Sequence, residues 1–96
     1  MATKFDLPTG LEFLKGPANL RKYYARCAAR RPQDVHWANG VKICDSWMAL
    51  EKKKDPSQTD INALTRELES EARPGSAWGI MREQFRDWAR ARGFQA

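Results

Sequence analysis

Basic side chains recur at every fourth position along two stretches of the chain, and these two rows are the strongest indication of chemistry in the sequence. The first basic row consists of Lys22, Arg26 and Arg30, with Arg31 directly after it, and the second basic row consists of Arg82, Arg86 and Arg90. An α-helix completes a turn in about 3.6 residues, so each row is expected to lie along one side of a helix. Cations in such a row can bind successive phosphates of a nucleic acid or the carboxylates of an acidic protein. The alternative is that both rows are the solvated faces of amphipathic helices.

The excess of positive charge is concentrated in the first third of the chain. The 96 residues include 17 lysines and arginines against 12 aspartates and glutamates, which gives a formal net charge of +5. Residues 1–31 hold seven basic and two acidic side chains, a balance of +5, whereas residues 55–73 hold two basic and five acidic ones, a balance of −3. Within that acidic segment, Asp60, Glu67 and Glu71 could neutralise a basic neighbour or imitate the phosphates of a nucleic acid.

Side chains that could perform catalysis or bind a metal ion are few and widely spaced. His36 is the single histidine, and its spacing from Cys27 and Cys44 matches none of the compact cysteine and histidine pairs of structural zinc sites. The sequence has no glycine-rich loop of the kind that binds phosphates, since Gly75 and Gly79 are isolated. We therefore expect a protein that is not an enzyme and that uses no metal ion and no cofactor.

The four tryptophans could serve as binding platforms, because tryptophan stacks on nucleobases and anchors protein interfaces. Trp47 and Trp88 lie in the middle of predicted helices among other apolar residues, so we expect them in the core. Trp37 and Trp78 lie where predicted helices begin, next to turns, so we expect them to be partly exposed and to bind a partner.

Proline and glycine residues divide the chain into the helices that must position these side chains. Thr9 and Glu12 have the spacing of a capping box, which predicts a short helix over about residues 10–15. A second helix is expected from Pro17 or Asn19 to about residue 29.

The later helices are predicted by the same signals. Asp55 and Pro56 have the form of an N-cap followed by a proline at the first helical position, and this helix should run to about residue 72. The last helix should begin near Trp78 and end near Gly93.

The segment from Val35 to Lys54 allows two interpretations. Asn39 and Gly40 lie between alternating residues, which is a signal for a β-hairpin. In contrast, an apolar face typical of a helix is formed by Trp37, Val41, Cys44, Trp47 and Met48. We favour the helix, with the hairpin as the alternative.

These elements together predict a single all-α domain over residues 1–96: a compact bundle of four main helices with a short N-terminal helix. Each half has an Arg-Pro turn followed by two tryptophans ten residues apart, so the bundle could consist of two similar helical hairpins. No stretch approaches the ~20 apolar residues of a membrane span, and the first residues lack the apolar region of a secretory signal. We therefore expect a cytoplasmic protein that has no membrane partner and whose two cysteines are reduced.

The most economical functional hypothesis is non-catalytic binding of nucleic acid through both basic rows. Residues 55–92 also permit a helix-turn-helix, in which Arg82 would face DNA. A second hypothesis is an inhibitor or adaptor of the kind encoded by phages, which binds a larger host protein complex, such as a defence or transcription assembly, and blocks or recruits it. A third is a homodimer, with Trp37 and Trp78 at its interface.

Overall fold

The computed structural model describes Gly10, residues 12–71 and residues 77–96, and those residues form helices and connecting turns without any β-strand. A short 3-10 helix, Glu12–Leu14, precedes the helices α1 (Gly16–Arg30), α2 (Val35–Lys52), α3 (Gln58–Glu71) and α4 (Ala77–Ala91). The all-α bundle of four main helices is therefore confirmed. Thr9, which would cap the first short helix, lies outside the described residues. The two helical pairs are not equivalent, since α1 and α2 pack much more extensively than α3 and α4.

The segment for which the sequence allows either a helix or a β-hairpin forms one continuous helix, α2. The Asp34 carboxylate accepts a hydrogen bond of 3.2 Å from the backbone N–H of His36 and so caps the beginning of α2. Asn39 and Gly40 lie inside this helix, which excludes the hairpin. The Asn39 side-chain amide donates a hydrogen bond of 3.0 Å to Glu71 on α3, so this residue connects two helices.

Gly40 allows a close approach between three helices. A Cβ atom at this position would lie 2.7 Å from a ring carbon of Tyr24 on α1 and 3.1 Å from the ring of Trp78 on α4. Both aromatic side chains are fully buried, and their ring centroids are 4.8 Å apart. Three helices therefore meet where α2 has no side chain.

A second aromatic cluster lies further along α2 and α4. The Trp47 ring meets the Phe85 ring edge to face, with centroids 5.5 Å apart, and both side chains are buried. Trp47 is thus in the core, as predicted. Trp88 is only half-buried, and the guanidinium of Arg92 lies 5.4 Å from the centre of its ring. Between the two clusters, the sulfur atoms of Cys44 and Met81 are 3.4 Å apart.

The N-cap prediction for α3 is wrong, because the helix begins at Gln58 and Ser57 is its cap. The Ser57 hydroxyl accepts a hydrogen bond from the backbone N–H of Asp60, and the Asp60 carboxylate accepts one from the backbone N–H of Ser57. This reciprocal pair satisfies two backbone donors at the helix start. Asp55 has no comparable bond in the described part of the chain, so the Ser57–Asp60 pair sets the first turn.

At the other end of the chain, α4 terminates as predicted near Gly93. Gly93 has a backbone φ of +89°, which residues other than glycine rarely adopt. Its N–H donates to the carbonyl of Arg90, and the N–H of Phe94 donates to the carbonyl of Ala89. These two bonds form a Schellman motif that satisfies the last carbonyls of the helix.

We predict that Gly40→Ala destabilises the protein by about 1–2 kcal/mol. Overpacking costs about 1–3 kcal/mol, which exceeds the gain of up to ~1 kcal/mol that alanine brings to a helix interior. Urea unfolding followed by circular dichroism measures the difference. Gly79→Ala in α4 is the matched control, because no atom of the described residues outside the α4 backbone lies within 4 Å of a Cβ there, and its stability should stay equal or rise. Equal stabilities for the two variants would contradict the packing argument.

We predict that Asp60→Asn lowers stability at neutral pH and has a smaller effect in acid. The backbone N–H of Ser57, followed by the ammonium of Lys53, holds the pKa of the Asp60 carboxyl below its usual value. A carboxyl with a lowered folded-state pKa stabilises the fold above the unfolded-state pKa of about 3.9, and this contribution is lost as the pH falls through the folded-state value. The difference in Tm between wild type and variant should therefore narrow below about pH 4. Asp55→Asn is the control, because Asp55 accepts no hydrogen bond from a described residue, and it should leave the Tm at neutral pH nearly unchanged.

Candidate nucleic-acid interface

The first basic row lies on the solvent side of α1. Lys22, Arg26, Arg30 and Arg31 are all exposed, while Leu20 and Tyr24 of the same helix are fully buried. No side chain of this row forms an ion pair or a hydrogen bond with the residues that the structure describes. The charges of these four side chains are therefore available to an external anion.

Arg21, the neighbour of this row, is bound within the protein. Its Nε donates a hydrogen bond of 2.6 Å to the Asp45 carboxylate of α2. Both side chains are about half exposed, so the pair contributes little to stability. It does remove one cation from the charge available on α1.

The second basic row is occupied by internal contacts. Arg82 lies 3.3 Å from the Glu69 carboxylate of α3 and 3.9 Å from Glu83, and Arg86 lies 3.4 Å from Glu83. The Nε of Arg90 donates a hydrogen bond of 2.8 Å to the backbone oxygen of Ala96. The two carboxylates offset most of the charge of Arg82 and Arg86. Equal spacing in the sequence has thus produced two rows with different environments.

The two tryptophans expected at the surface have different environments. Trp78 is fully buried, so the expectation that it is partly exposed is wrong. It lies against Tyr24 and against His36, whose ring centroid is 5.2 Å away, because α4 packs its first turn into the core. Trp37 is half-buried between Tyr23 and Tyr24, and its indole nitrogen has no hydrogen-bond partner among the described residues.

Two aromatic side chains outside the predicted site, Phe13 and Tyr23, lie against each other, and Tyr23 lies on α1 beside the first basic row. Phe13 is 48% exposed, and its ring centroid is 6.1 Å from that of the half-buried Tyr23. Tyr23 precedes Arg26 and Arg30 by three and seven residues, which places the three side chains on one side of α1. The Tyr23-Tyr24 pair was the available signal, because two adjacent helical residues cannot both face one core. Phe13 carried no periodic signal.

Burial favours the neutral forms of three ionisable side chains, Tyr23, Tyr24 and Cys44. Burial raises the pKa of the Cys44 thiol to about 12, and it raises the pKa of the Tyr24 phenol further above its usual value. Burial, followed by the neighbouring Cys27, also raises the pKa of the Tyr23 phenol. The Cys44 thiol therefore has little thiolate character at neutral pH, which makes it a poor nucleophile.

A polar cluster connects α2 with α3 beside a shallow cleft of about 420 Å³. The Nδ1 atom of His36 contacts one carboxylate oxygen of Glu71, and Asn39 donates to the other. In the part of the chain that the structure describes, histidine, cysteine, aspartate and glutamate side chains form no group of three or more that could hold a metal ion. This cluster fixes the position of α3 against α2.

The acidic side chains of α3 are mostly engaged within the protein. Asp60 binds Lys53 at 2.9 Å and the backbone of Ser57, and Glu71 binds His36 and Asn39. Glu67 is exposed. An array of free carboxylates that could imitate successive phosphates is therefore not formed by these three side chains.

The helix-turn-helix interpretation lacks support at two positions. Its turn falls within residues 72–76, which lie outside the described residues. Arg82, which would face DNA, lies against Glu69. This interpretation stays a prediction that the geometry around Arg82 does not favour.

No family model matches the chain, and neither a curated protein nor a solved structure is significantly similar to it. Over the described ranges, each helix is too short or too polar to cross a lipid bilayer. The function of the protein is therefore inferred from the residues of this chain alone.

Proposed function

We propose that this protein binds nucleic acid through the first basic row, on the exposed side of α1. The observation that carries the proposal is that Lys22, Arg26, Arg30 and Arg31 are exposed and form no ion pair with any described residue. Three hydrated cations on α1 and a fourth at its C-cap attract a polyanion more strongly than they attract isolated carboxylates.

The spacing of the row suits a phosphate backbone. Residues four apart on an α-helix are separated by about 6 Å along its axis, which is comparable to the distance between successive phosphates of an extended strand. Lys22, Arg26 and Arg30 therefore present cations at regular intervals along a line. Arginine can bind a phosphate with two parallel hydrogen bonds, whereas lysine acts as a point charge.

The proposed interface is smaller than the one that the sequence predicts. Arg82 and Arg86 share the carboxylates of Glu69 and Glu83, so an incoming phosphate would compete with contacts already made. Each such surface pair is weak, at about 0–1 kcal/mol, but the carboxylates would also repel the phosphate. We therefore assign no phosphate contact to the second basic row.

The hypothesis of an inhibitor or adaptor on a larger host complex has weaker support. Imitation of phosphates requires free carboxylates in a series, whereas Asp60 and Glu71 are bonded internally. Docking on a protein complex becomes the favoured function if the protein does not bind nucleic acid.

We predict that Arg26→Gln combined with Arg30→Gln weakens nucleic-acid binding and reduces its salt dependence. Each lost phosphate contact lowers the slope of log affinity against log salt by about 0.9 for duplex DNA and about 0.7 for single strands. The slope should therefore fall by roughly 1.4–1.8 in the double variant. Titration of fluorescent single- and double-stranded DNA and RNA across a salt series measures this change.

Arg82→Gln combined with Arg86→Gln is the matched control, because it removes the same charge from the second basic row. Its affinity and salt slope should stay close to those of the wild type. Equal losses in the two double variants would show that only the net charge matters and would contradict an interface on α1. Absence of binding by the wild type at low salt would refute the proposed function.

A further inference from the structure

Phe13 is an exposed aromatic side chain on a turn that the rest of the fold holds in place. The side-chain amide of Gln84 on α4 accepts a hydrogen bond of 2.8 Å from the N–H of Gly16 and donates one of 2.8 Å to the carbonyl of Leu14. The Leu14 side chain is buried in the core. The backbone that follows Phe13 is thereby anchored to α4, while the Phe13 ring itself remains 48% exposed.

The exposed Phe13 ring is paired with a second ring. The Tyr23 centroid lies 6.1 Å from that of Phe13 and 6.3 Å from that of Trp37, which packs edge-on behind it. Tyr23 is therefore supported from the inside by the core. The aromatic pair Phe13–Tyr23 forms a small, ordered surface. Because its side chains are already held in place, they lose little conformational entropy when a planar ligand stacks on them.

Cationic side chains lie on the Tyr23 side of this pair, whereas the exposed Glu12 precedes Phe13. Arg26 and Arg30 follow Tyr23 along the same side of α1, and they have no ion-pair partner among the described residues. A second copy of the chain would bring another first basic row to the same place and would be repelled. A planar ligand attached to a polyanion can stack on the two rings while its anionic groups bind the arginines.

We propose that Phe13 and Tyr23 form a stacking site for unpaired nucleobases, so that the protein prefers single-stranded nucleic acid to a duplex. This inference rests on the proposed function, because the first basic row would hold the phosphates of the same strand. In a duplex the faces of the bases are covered by their neighbours, and a surface ring cannot reach them. An unpaired base has a free face, and stacking on aromatic side chains tolerates any base.

The test compares wild type with Phe13→Leu on a 12-nucleotide oligothymidine, an oligouridine of equal length and a 12-base-pair duplex. Leucine keeps an apolar side chain but has no ring face. Loss of one stacked base should weaken single-strand binding about tenfold, while duplex binding should change less than twofold. Val35→Ala is the control, because Val35 is exposed by 69% and is not part of the pair.

Photocrosslinking of the wild type with an oligonucleotide that contains 5-iodouracil should label the peptides carrying Phe13 or Tyr23. This second measurement is independent of any effect of substitution on folding. Labelling elsewhere only would overturn the stacking site.

The remaining outcomes separate the two proposals. If Phe13→Leu binds single strands as well as wild type, while Arg26→Gln with Arg30→Gln weakens binding, the stacking site is overturned and the proposed function stands. Equal weakening of single-strand and duplex binding by Phe13→Leu also overturns the stacking site. If the free wild type is dimeric by light scattering and Phe13→Leu is monomeric, the rings serve self-association instead. Failure of the wild type to bind any of the three probes at low salt refutes both proposals.

Discussion

The contact of Tyr24 and Trp78 with the backbone of Gly40 is the constraint on which the arrangement of the helices depends. A ring from α1 and a ring from α4 occupy the space that a side chain at position 40 would fill if the residue were not glycine. Close packing of this kind fixes both the distance and the rotation of neighbouring helices, because side chains in a core interdigitate with few voids. The rest of the core extends from this point through Cys44 and Met81 to Trp47.

The rotation of α1 that places Tyr24 in the core also determines what α1 presents to solvent. Successive residues of a helix are turned by about 100°, so Tyr23 lies at the boundary when Tyr24 is buried. Residues 22, 26 and 30 then face outward together, and their charges stay hydrated. The candidate interface is therefore a consequence of the packing at Gly40, although none of its residues touches that glycine.

Much of the fold could be predicted from the sequence, because helical periodicity records which side of each helix is buried. Leu20, Ile61 and Phe85 were recognisable in this way. The secondary structure at Asn39-Gly40 was ambiguous because tertiary contacts explain both residue types. Gly40 makes room for two rings, and Asn39 binds Glu71. Part of the candidate site could not be predicted for a similar reason. The carboxylates that occupy Arg82 and the amide of Gln84 that holds the Phe13 turn belong to other parts of the chain.

The two basic rows show that the charge pattern of a helix does not by itself specify a binding surface. A row on α4 faces the acidic α3, so Glu69 and Glu83 offset its charge. The row on α1 forms no ion pair with the described residues, and the Asp45 carboxylate of α2 is bound to the neighbouring Arg21. Because a charge in water interacts strongly only with its near neighbours at physiological salt, the local partners of each arginine decide whether it can bind a phosphate. The tertiary structure, rather than the spacing, therefore distinguishes an available row from a neutralised one.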